Sequence, residues 1–361
     1  MRAMAVLPGR RELSIIDLPR PVLRQDRDVL VRVREVGVCG TDREIGAFHY
    51  GTPAAGRDAL VLGHEAFGEV VDVGASVRTL EPGDLVVMTV RRPCDDESCP
   101  ACRAGRQDFC VSGRFRERGI KEADGFMTEL IVEDERYLVR VPPPLADVAV
   151  LVEPLTIAAK ASVELAAIRS RFPWEPVGTR ALVLGAGPIG LLGAMMTVSF
   201  NTKALVYSRE PAGSPRAQLL QSIGAQYISA ADVPLDRLRE HGGPFDVIFE
   251  AVGNARVAFE ALPALAPNGL GILSGVPGGH GPVEVDLDSV MRNIVLQNQV
   301  IFGTVNASRA AFEESVHLLE RFMVLFPDAV RSLITERASL ERVPELLRQP
   351  GGIKQVVAVA A

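Results

Sequence analysis

The chain of 361 residues is long enough for two domains, and with 47% hydrophobic and 23% charged residues it has the composition of a soluble globular protein with a sizeable core. Its 39 basic and 45 acidic residues give a net charge of −6, which argues against nucleic acid as the main partner. The N-terminal MRAMAVLPGRRELSII shows no apolar leader with a small-residue cleavage site, so the expectation is a cytoplasmic protein.

In chain order, the first 150 residues read as strand-rich and irregular. Asp28–Val36 alternates in polarity, Gly68–Gly74 is a second strand, and turns such as Glu81-Pro82-Gly83-Asp84 separate them. This pattern predicts an antiparallel, barrel-like unit. Cys39-Gly40-Thr41-Asp42 follows the first of these strands. A lone cysteine is usually a small buried hydrophobe. His64 and Glu65, however, sit side by side in the apolar run VLGHEAFGEVV. A buried carboxylate is costly unless paired, protonated or bound to a metal. Thiol, imidazole and carboxylate are the ligand types of catalytic zinc, which keeps one position open.

Next comes Cys94-x4-Cys99-x2-Cys102-x7-Cys110, four of the five cysteines within seventeen residues. An odd cysteine count without a secretory leader is a poor fit to a disulfide framework. Four thiolates at short spacing in a loop suit a closed, structural zinc site. Asp96, three residues before Cys99, competes with Cys94 as the fourth ligand; zinc's preference for sulfur favours Cys94. The lobe takes four cysteines, so a further ligand beside Cys39 and His64 must be an oxygen or a histidine. Glu153, in the apolar run Leu151-Val152-Glu153-Pro154-Leu155, is the best later candidate.

From about Thr179 strands alternate with helices: Arg180–Leu184, Lys203–Ser208, Phe245–Glu250 and Gly269–Ser274, with helical runs at 215–223 and 256–265. That alternation predicts a doubly wound parallel sheet. Gly185-Ala186-Gly187-Pro188-Ile189-Gly190 fits G-x-G-x-x-G between a strand and a helix, the context of a dinucleotide-binding turn. The uncharged stretch Ala181–Phe200 is as long as a membrane span, but its glycines and Pro188 oppose that reading. At the ribose-reading position stand Ser208 and Arg209, with Glu210 behind. Arg209 suits the 2′-phosphate of NADP and Glu210 keeps NAD open. A helix at 310–322 and a strand at 355–359 close the chain.

Together these residues resemble the zinc-dependent medium-chain dehydrogenase/reductase superfamily over nearly the full length. The carriers are Cys39-Gly40-Thr41-Asp42, Gly63-His64-Glu65, the four-cysteine lobe, Glu153-Pro154 and the Gly185–Gly190 loop. Within it, the chain looks most like the archaeal-type glucose 1-dehydrogenases, on Cys39–Ile45, Gly105–Cys110, Gly119-Ile120, Asp124–Met127 and Gly303–Asn306. The resemblance implies a GroES-like antiparallel β-barrel catalytic domain, residues 1–154 and 305–361 with the zinc lobe at 94–110, and a Rossmann domain, residues 155–304. It implies Cys39, His64, Glu65 and Glu153 around a catalytic zinc, and sugar contacts from Thr41, Glu65, Glu117, Glu153 and Asn306. On the nicotinamide side it implies Val252, Gly275, Val276 and Val305. The implied reaction is oxidation of an aldose, above all D-glucose, at C1 to the aldonolactone. NADP or NAD would take the hydride.

The chain departs from the pattern it resembles at Glu44, where many alcohol dehydrogenases carry a relay histidine, and at Ile157 and Leu296, which put sugar preference in question. Rival readings are a zinc dehydrogenase of another sugar, a polyol or an amino alcohol, and a non-catalytic NADPH-binding sensor. The resemblance also suggests a homodimer or tetramer, joined through edge strands such as Gly269–Ser274 and Val300–Gly303.

Overall fold

The computed structural model describes residues 1–174, 179–278, 281–349 and 351–359. The chain opens with strands β1 (Arg2–Leu7), β2 (Glu12–Asp17) and β3 (Asp28–Val38), then helix α1 (Gly40–Gly46). There follow β4 (Leu60–Val61), β5 (Glu65–Val73), β6 (Leu85–Met88), β7 (Arg91–Arg92), the short helix α2 (Pro100–Arg103), β8 (Arg116–Arg118), β9 (Glu122–Ala123), β10 (Leu130–Asp134) and β11 (Leu138–Arg140). Helix α3 (Val152–Arg169) leads to β12 (Arg180–Leu184), α4 (Pro188–Ser199), β13 (Lys203–Ser208), α5 (Pro215–Ser222), β14 (Gln226–Ser229), α6 (Leu238–His241), β15 (Phe245–Glu250), α7 (Ala255–Ala261), β16 (Leu265–Leu273), α8 (Leu287–Leu296) and β17 (Val300–Gly303). The chain ends with α9 (Arg309–Leu325), α10 (Pro327–Ser332), β18 (Ile334–Ser339), α11 (Val343–Arg348) and β19 (Lys354–Ala358).

Two compact units result. The first holds Met1–Thr156, Asn306–Glu320 and the chain from Val330 onward; the second holds Ile157–Val305 and Arg321–Ala329. Against the expected bounds, residues 155–156 fall in the first unit, and Val305 and 321–329 in the second. Arg321 donates to the carbonyl of Ser199 and lies 5.3 Å over the ring of Phe200, so the last turns of α9 pack with the second unit.

The first unit is built on a seven-stranded sheet in the order β11-β6-β5-β3-β19-β18, with β10 also paired to β3. Most pairs are antiparallel; β18 and β19 run parallel. The long β3 changes partner along its length, facing β10 over 28–32 and β19 over 35–38. Val29, Val31, Val33 and Val36 are all fully buried. Because its pairing switches, β3 carries the chain's C-terminal strand to the same place as β5.

The second unit is a parallel six-stranded sheet, order β14-β13-β12-β15-β16-β17, the doubly wound arrangement expected from the alternation. Leu182, Leu184, Leu205, Tyr207, Phe245 and Ile248 form its core with Leu262 and Leu265. The uncharged stretch Ala181–Phe200 divides into β12 and α4, and among the described residues no helix is long and apolar enough to cross a membrane. Gly269–Ser274 is not the free edge it was expected to be. β16 is hydrogen-bonded by β15 on one side and β17 on the other, and only β17 of that pair is an edge.

Candidate active site and metal centres

Cys39 closes β3 and caps α1. Its Sγ accepts from the Thr41 N–H at 3.2 Å, while Asp42 Oδ2 accepts from the Cys39 N–H at 2.9 Å. The capping arrangement fixes the thiol at the strand end. His64 approaches from the start of β5, with Nε2 3.1 Å from Cys39 Sγ. It follows Gly63, whose φ of +87° and tight contact with Met127 and Val36 leave no room for a side chain. Ligand atoms of Cys39, His64 and Glu65 lie within 4.8 Å of one another.

Glu65 is held by a partner from the far end of the chain. It faces Gly37 across the β3–β5 pair, and its Oε2 accepts from Lys354 Nζ. The same ammonium donates to the Val38 carbonyl at 3.3 Å. Glu65 and Lys354 are both buried, so each offsets part of the cost of burying the other. A Cβ at position 37 would overlap Glu65 Oε2, so only glycine leaves the carboxylate its path.

Burial pushes the Cys39 thiol up, against the pull of His64. Burial acts to lower His64, but the charges of Cys39 and Asp42 outweigh it and hold the imidazole well above its usual range. Asp42 Oδ1 and His64 Nδ1 are buried without a hydrogen-bond partner among the described residues and lie 3.5 Å apart. A metal on Nε2 needs Nδ1–H to face an acceptor, and Asp42 supplies that acceptor. The donor set of soft thiolate, imidazole and carboxylate fits zinc, and its entry would displace the protons now shared by Cys39 and His64.

Glu153 sits in the first turn of α3. Burial pushes it up to about 7, Glu65 and Asp42 adding to the rise and His64 and Lys354 opposing it. Thr41, the second residue of α1, is partly exposed. Glu117 on β8 accepts from Asn306 Nδ2 at 2.8 Å, and Asn306 adopts a left-handed φ of +59°.

The four-cysteine lobe closes as a second cluster. Ligand atoms of Cys94, Cys99, Cys102 and Cys110 lie within 4.8 Å of one another, all four thiols are free, and Cys94 and Cys102 are 3.6 Å apart. Tetrahedral zinc–thiolate bonds separate sulfurs by roughly 3.8 Å, so the lobe fits the ion. Asp96 is engaged elsewhere, accepting from Ser98 and from Arg114 at 2.9 Å, while Cys94 stands with the other three thiols.

In the second unit, Gly185 takes φ +104° in the turn from β12 to α4, and a Cβ at Gly190 would overlap the Gly185 carbonyl. A Cβ at Gly187 would meet nothing within 4 Å. Gly187 caps α4 without a side chain and Pro188 opens it, so the helix start presents backbone N–H groups to an open side, as a pyrophosphate requires. Ser208 bonds Tyr227 Oη at 2.9 Å, Arg209 is exposed, and Glu210 pairs with Arg216 at 3.0 Å. Val252, Val276 and Val305 are exposed. Glu250 explains how two loops keep their shape: its carboxylate accepts from Val252 N–H at 2.6 Å, Gly253 N–H at 2.7 Å and Gly275 N–H at 3.1 Å.

Sequence reasoning missed Asp42, Lys354 and Glu250. Asp42 had a local signal, an acid three residues after a capping residue. Lys354 had none, lying 289 residues from Glu65.

A family model described as the glucose dehydrogenase C-terminus matches residues 146–359, and one described as the alcohol dehydrogenase GroES-like domain matches 25–143. Glucose 1-dehydrogenase of Methanocella arvoryzae is 38% identical over 96% of either chain. Glucose 1-dehydrogenase 1 of Caldivirga maquilingensis is 39% identical over 96% of this chain and 95% of its own. Among solved structures, Haloferax mediterranei glucose dehydrogenase in complex with NADP, Zn and gluconolactone superposes with a TM-score of 0.90 at 34% identity, covering 100% of each chain.

Replacing Lys354 by Met should cost about 3–5 kcal/mol, because it leaves the Glu65 carboxylate buried and unpaired. Adding Glu65→Gln to that variant should recover most of the loss. Denaturant unfolding of the single and double variants measures both, and a loss below about 1 kcal/mol would place the pair in the class of exposed salt bridges.

Proposed function

The chain belongs to the glucose dehydrogenase family of zinc-dependent medium-chain dehydrogenases, and from that premise we propose that it oxidises an aldose, D-glucose first, at C1 to the aldonolactone with hydride transfer to NADP. The observation that carries this reading is the buried convergence of Cys39, His64 and Glu65 in a chain whose Haloferax relative was solved with NADP, Zn and gluconolactone.

A zinc ion bound at Cys39 and His64 would supply Lewis acidity toward the anomeric hydroxyl. The chain's own groups do the rest. Glu65 is held in place by Lys354 at the edge of the centre. Glu153, at about 7, is poised to exchange a proton near neutral pH and serves as the base. The Thr41 hydroxyl, beside Cys39, hydrogen-bonds the anomeric oxygen and leads its proton toward solvent. Glu117 and Asn306 hold the sugar's ring hydroxyls. The lobe of Cys94, Cys99, Cys102 and Cys110 takes a second, structural zinc.

For the cofactor, Gly185, Gly187, Pro188, Ile189 and Gly190 cradle the pyrophosphate, Ser208 and Arg209 take the adenosine ribose and its 2′-phosphate, and Val252, Gly275, Val276 and Val305 line the nicotinamide side. We also propose that two copies join through β17. That strand is a sheet edge, and Leu287, Met291 and Val295 of the neighbouring α8 form an exposed apolar stripe at helical spacing. Five free thiols suit the reducing cytoplasm.

A reductase assay with NADP and NAD against a panel of aldoses, polyols and amino alcohols tests the reading. D-Glucose with NADP should give the highest kcat/KM, and a zinc chelator should abolish turnover; sustained activity after metal removal, or turnover confined to amino alcohols, would contradict it. Arg209→Ala should raise the KM for NADP on the order of ten-fold or more while sparing that for NAD, as expected for a charge-assisted phosphate contact. Equal losses with both cofactors would remove Arg209 from the 2′-phosphate.

A further inference from the structure

Arg91 and Glu117 stand opposite each other on the paired strands β7 and β8, and both side chains are buried. The guanidinium donates twice to one carboxylate oxygen, Oε1, from Nε at 3.1 Å and from Nη2 at 3.0 Å. Asn306 Nδ2 donates to that same oxygen at 2.8 Å, and Asn306 Oδ1 accepts from the Ala307 N–H at 2.8 Å. Oε1 is thus saturated and both Glu117 and Asn306 are held in one orientation. The other oxygen, Oε2, is the one left to receive a hydroxyl group.

The far side of the same guanidinium points elsewhere. Nη1 donates to the Asp108 carbonyl at 3.1 Å, and the Arg91 carbonyl accepts from the Gln107 side chain at 3.4 Å. Gln107 and Asp108 lie inside the four-cysteine lobe, next to Cys110, and both are buried. The ring of Phe115 lies 3.7 Å from the guanidinium carbon and fixes its plane. A planar fork carries its donors on separate nitrogens, so it reaches a carboxylate on one side and a carbonyl on the other; an ammonium's donors all radiate from one atom and do not span that separation.

We propose that Arg91 is a positioning residue that couples the closed four-cysteine lobe to the sugar-holding pair Glu117 and Asn306, so that the state of the lobe sets the affinity for the sugar. The inference rests on the reading of Glu117 and Asn306 as sugar contacts. It gives the lobe a part in recognition besides its part in stability. When the lobe opens, the Asp108 carbonyl leaves Nη1, the guanidinium plane is released, and Glu117 loses its fixed orientation.

The test compares wild type with Arg91→Lys, Arg91→Gln and Cys110→Ser, measuring KM and kcat for D-glucose, KM for NADP, calorimetric binding of D-glucose, zinc per chain and the melting curve. Arg91→Lys and Arg91→Gln should raise KM and weaken D-glucose binding on the order of ten-fold, the effect of a lost hydrogen bond to a charged group. The KM for NADP should not change, and kcat should fall less than KM rises. Cys110→Ser, which keeps the metal at Cys39 and His64, should show the same rise in KM, and adding Arg91→Gln to it should raise KM little further, because the path is already broken. Lower melting temperatures with an unchanged KM for D-glucose, or fully additive effects of the two changes, would overturn the coupling. Wild-type protein without turnover on any aldose would instead overturn the sugar role of Glu117, and the coupling with it. Arg91→Lys and Cys110→Ser keep the test decisive if Arg91→Gln does not fold.

Discussion

The ion pair between Glu65 and Lys354 is the constraint that fixes the carboxylate of the candidate metal centre. A carboxylate and an ammonium, both buried, meet where β3 lies between β5 and β19. The pair exists because Gly37 lacks a side chain, because β3 leaves β10 and takes up β19 partway along its length, and because Lys354 begins that last strand. Removing either charge would strand the other in a low-dielectric environment. The C-terminal strand therefore reaches the cluster of Cys39, His64 and Glu65 through Lys354.

The buried acids of the first unit differ in how their charge is met, and that difference sorts their roles. Glu117 has Arg91 and Asn306, Glu133 lies between Arg92 and Arg118, and Asp42 has the Cys39 N–H and the His64 ring. In Glu133 burial acts to raise the carboxyl, but Arg118 and Arg92 overcome it and hold it below the usual range. Glu153 differs from these: burial lifts it to about 7, and the nearby charges of both signs largely offset one another. Carboxylates pushed to different ionisation ranges are what the proposed role of Glu153 as proton carrier requires. In the second unit Glu250 follows the first pattern, its charge spread over three backbone N–H groups.

What the sequence made legible was what lies close together along the chain. The glycine turn between β12 and α4, the four-cysteine lobe, and the strands 180–184, 203–208 and 245–250 were legible because each is written in one short continuous stretch, seventeen residues at most. What stayed hidden was set by sheet register. Lys354 carries no local mark of its partner, since a lysine near a chain end reads as a solvated charge until β19 is placed against β3. The bridging role of Arg91 depends on a cross-strand pairing with Glu117, 26 residues away, and on a carbonyl, which no sequence pattern displays. The supposed edge at Gly269–Ser274 failed for the same reason: a strand's place within a parallel sheet follows from crossover order, not from its own composition. Identification of the family came from motif types in the right order, which need no register.

The most direct measurement is the zinc content of purified protein, wild type against Cys39→Ser and His64→Ala. If Cys39, His64 and Glu65 share one ion and the lobe holds another, the wild type carries about two zinc ions per chain and either variant about one, with its melting curve near that of the parent. A wild type with about one ion, unchanged by either substitution, would show that the buried thiol and imidazole do not form a metal centre.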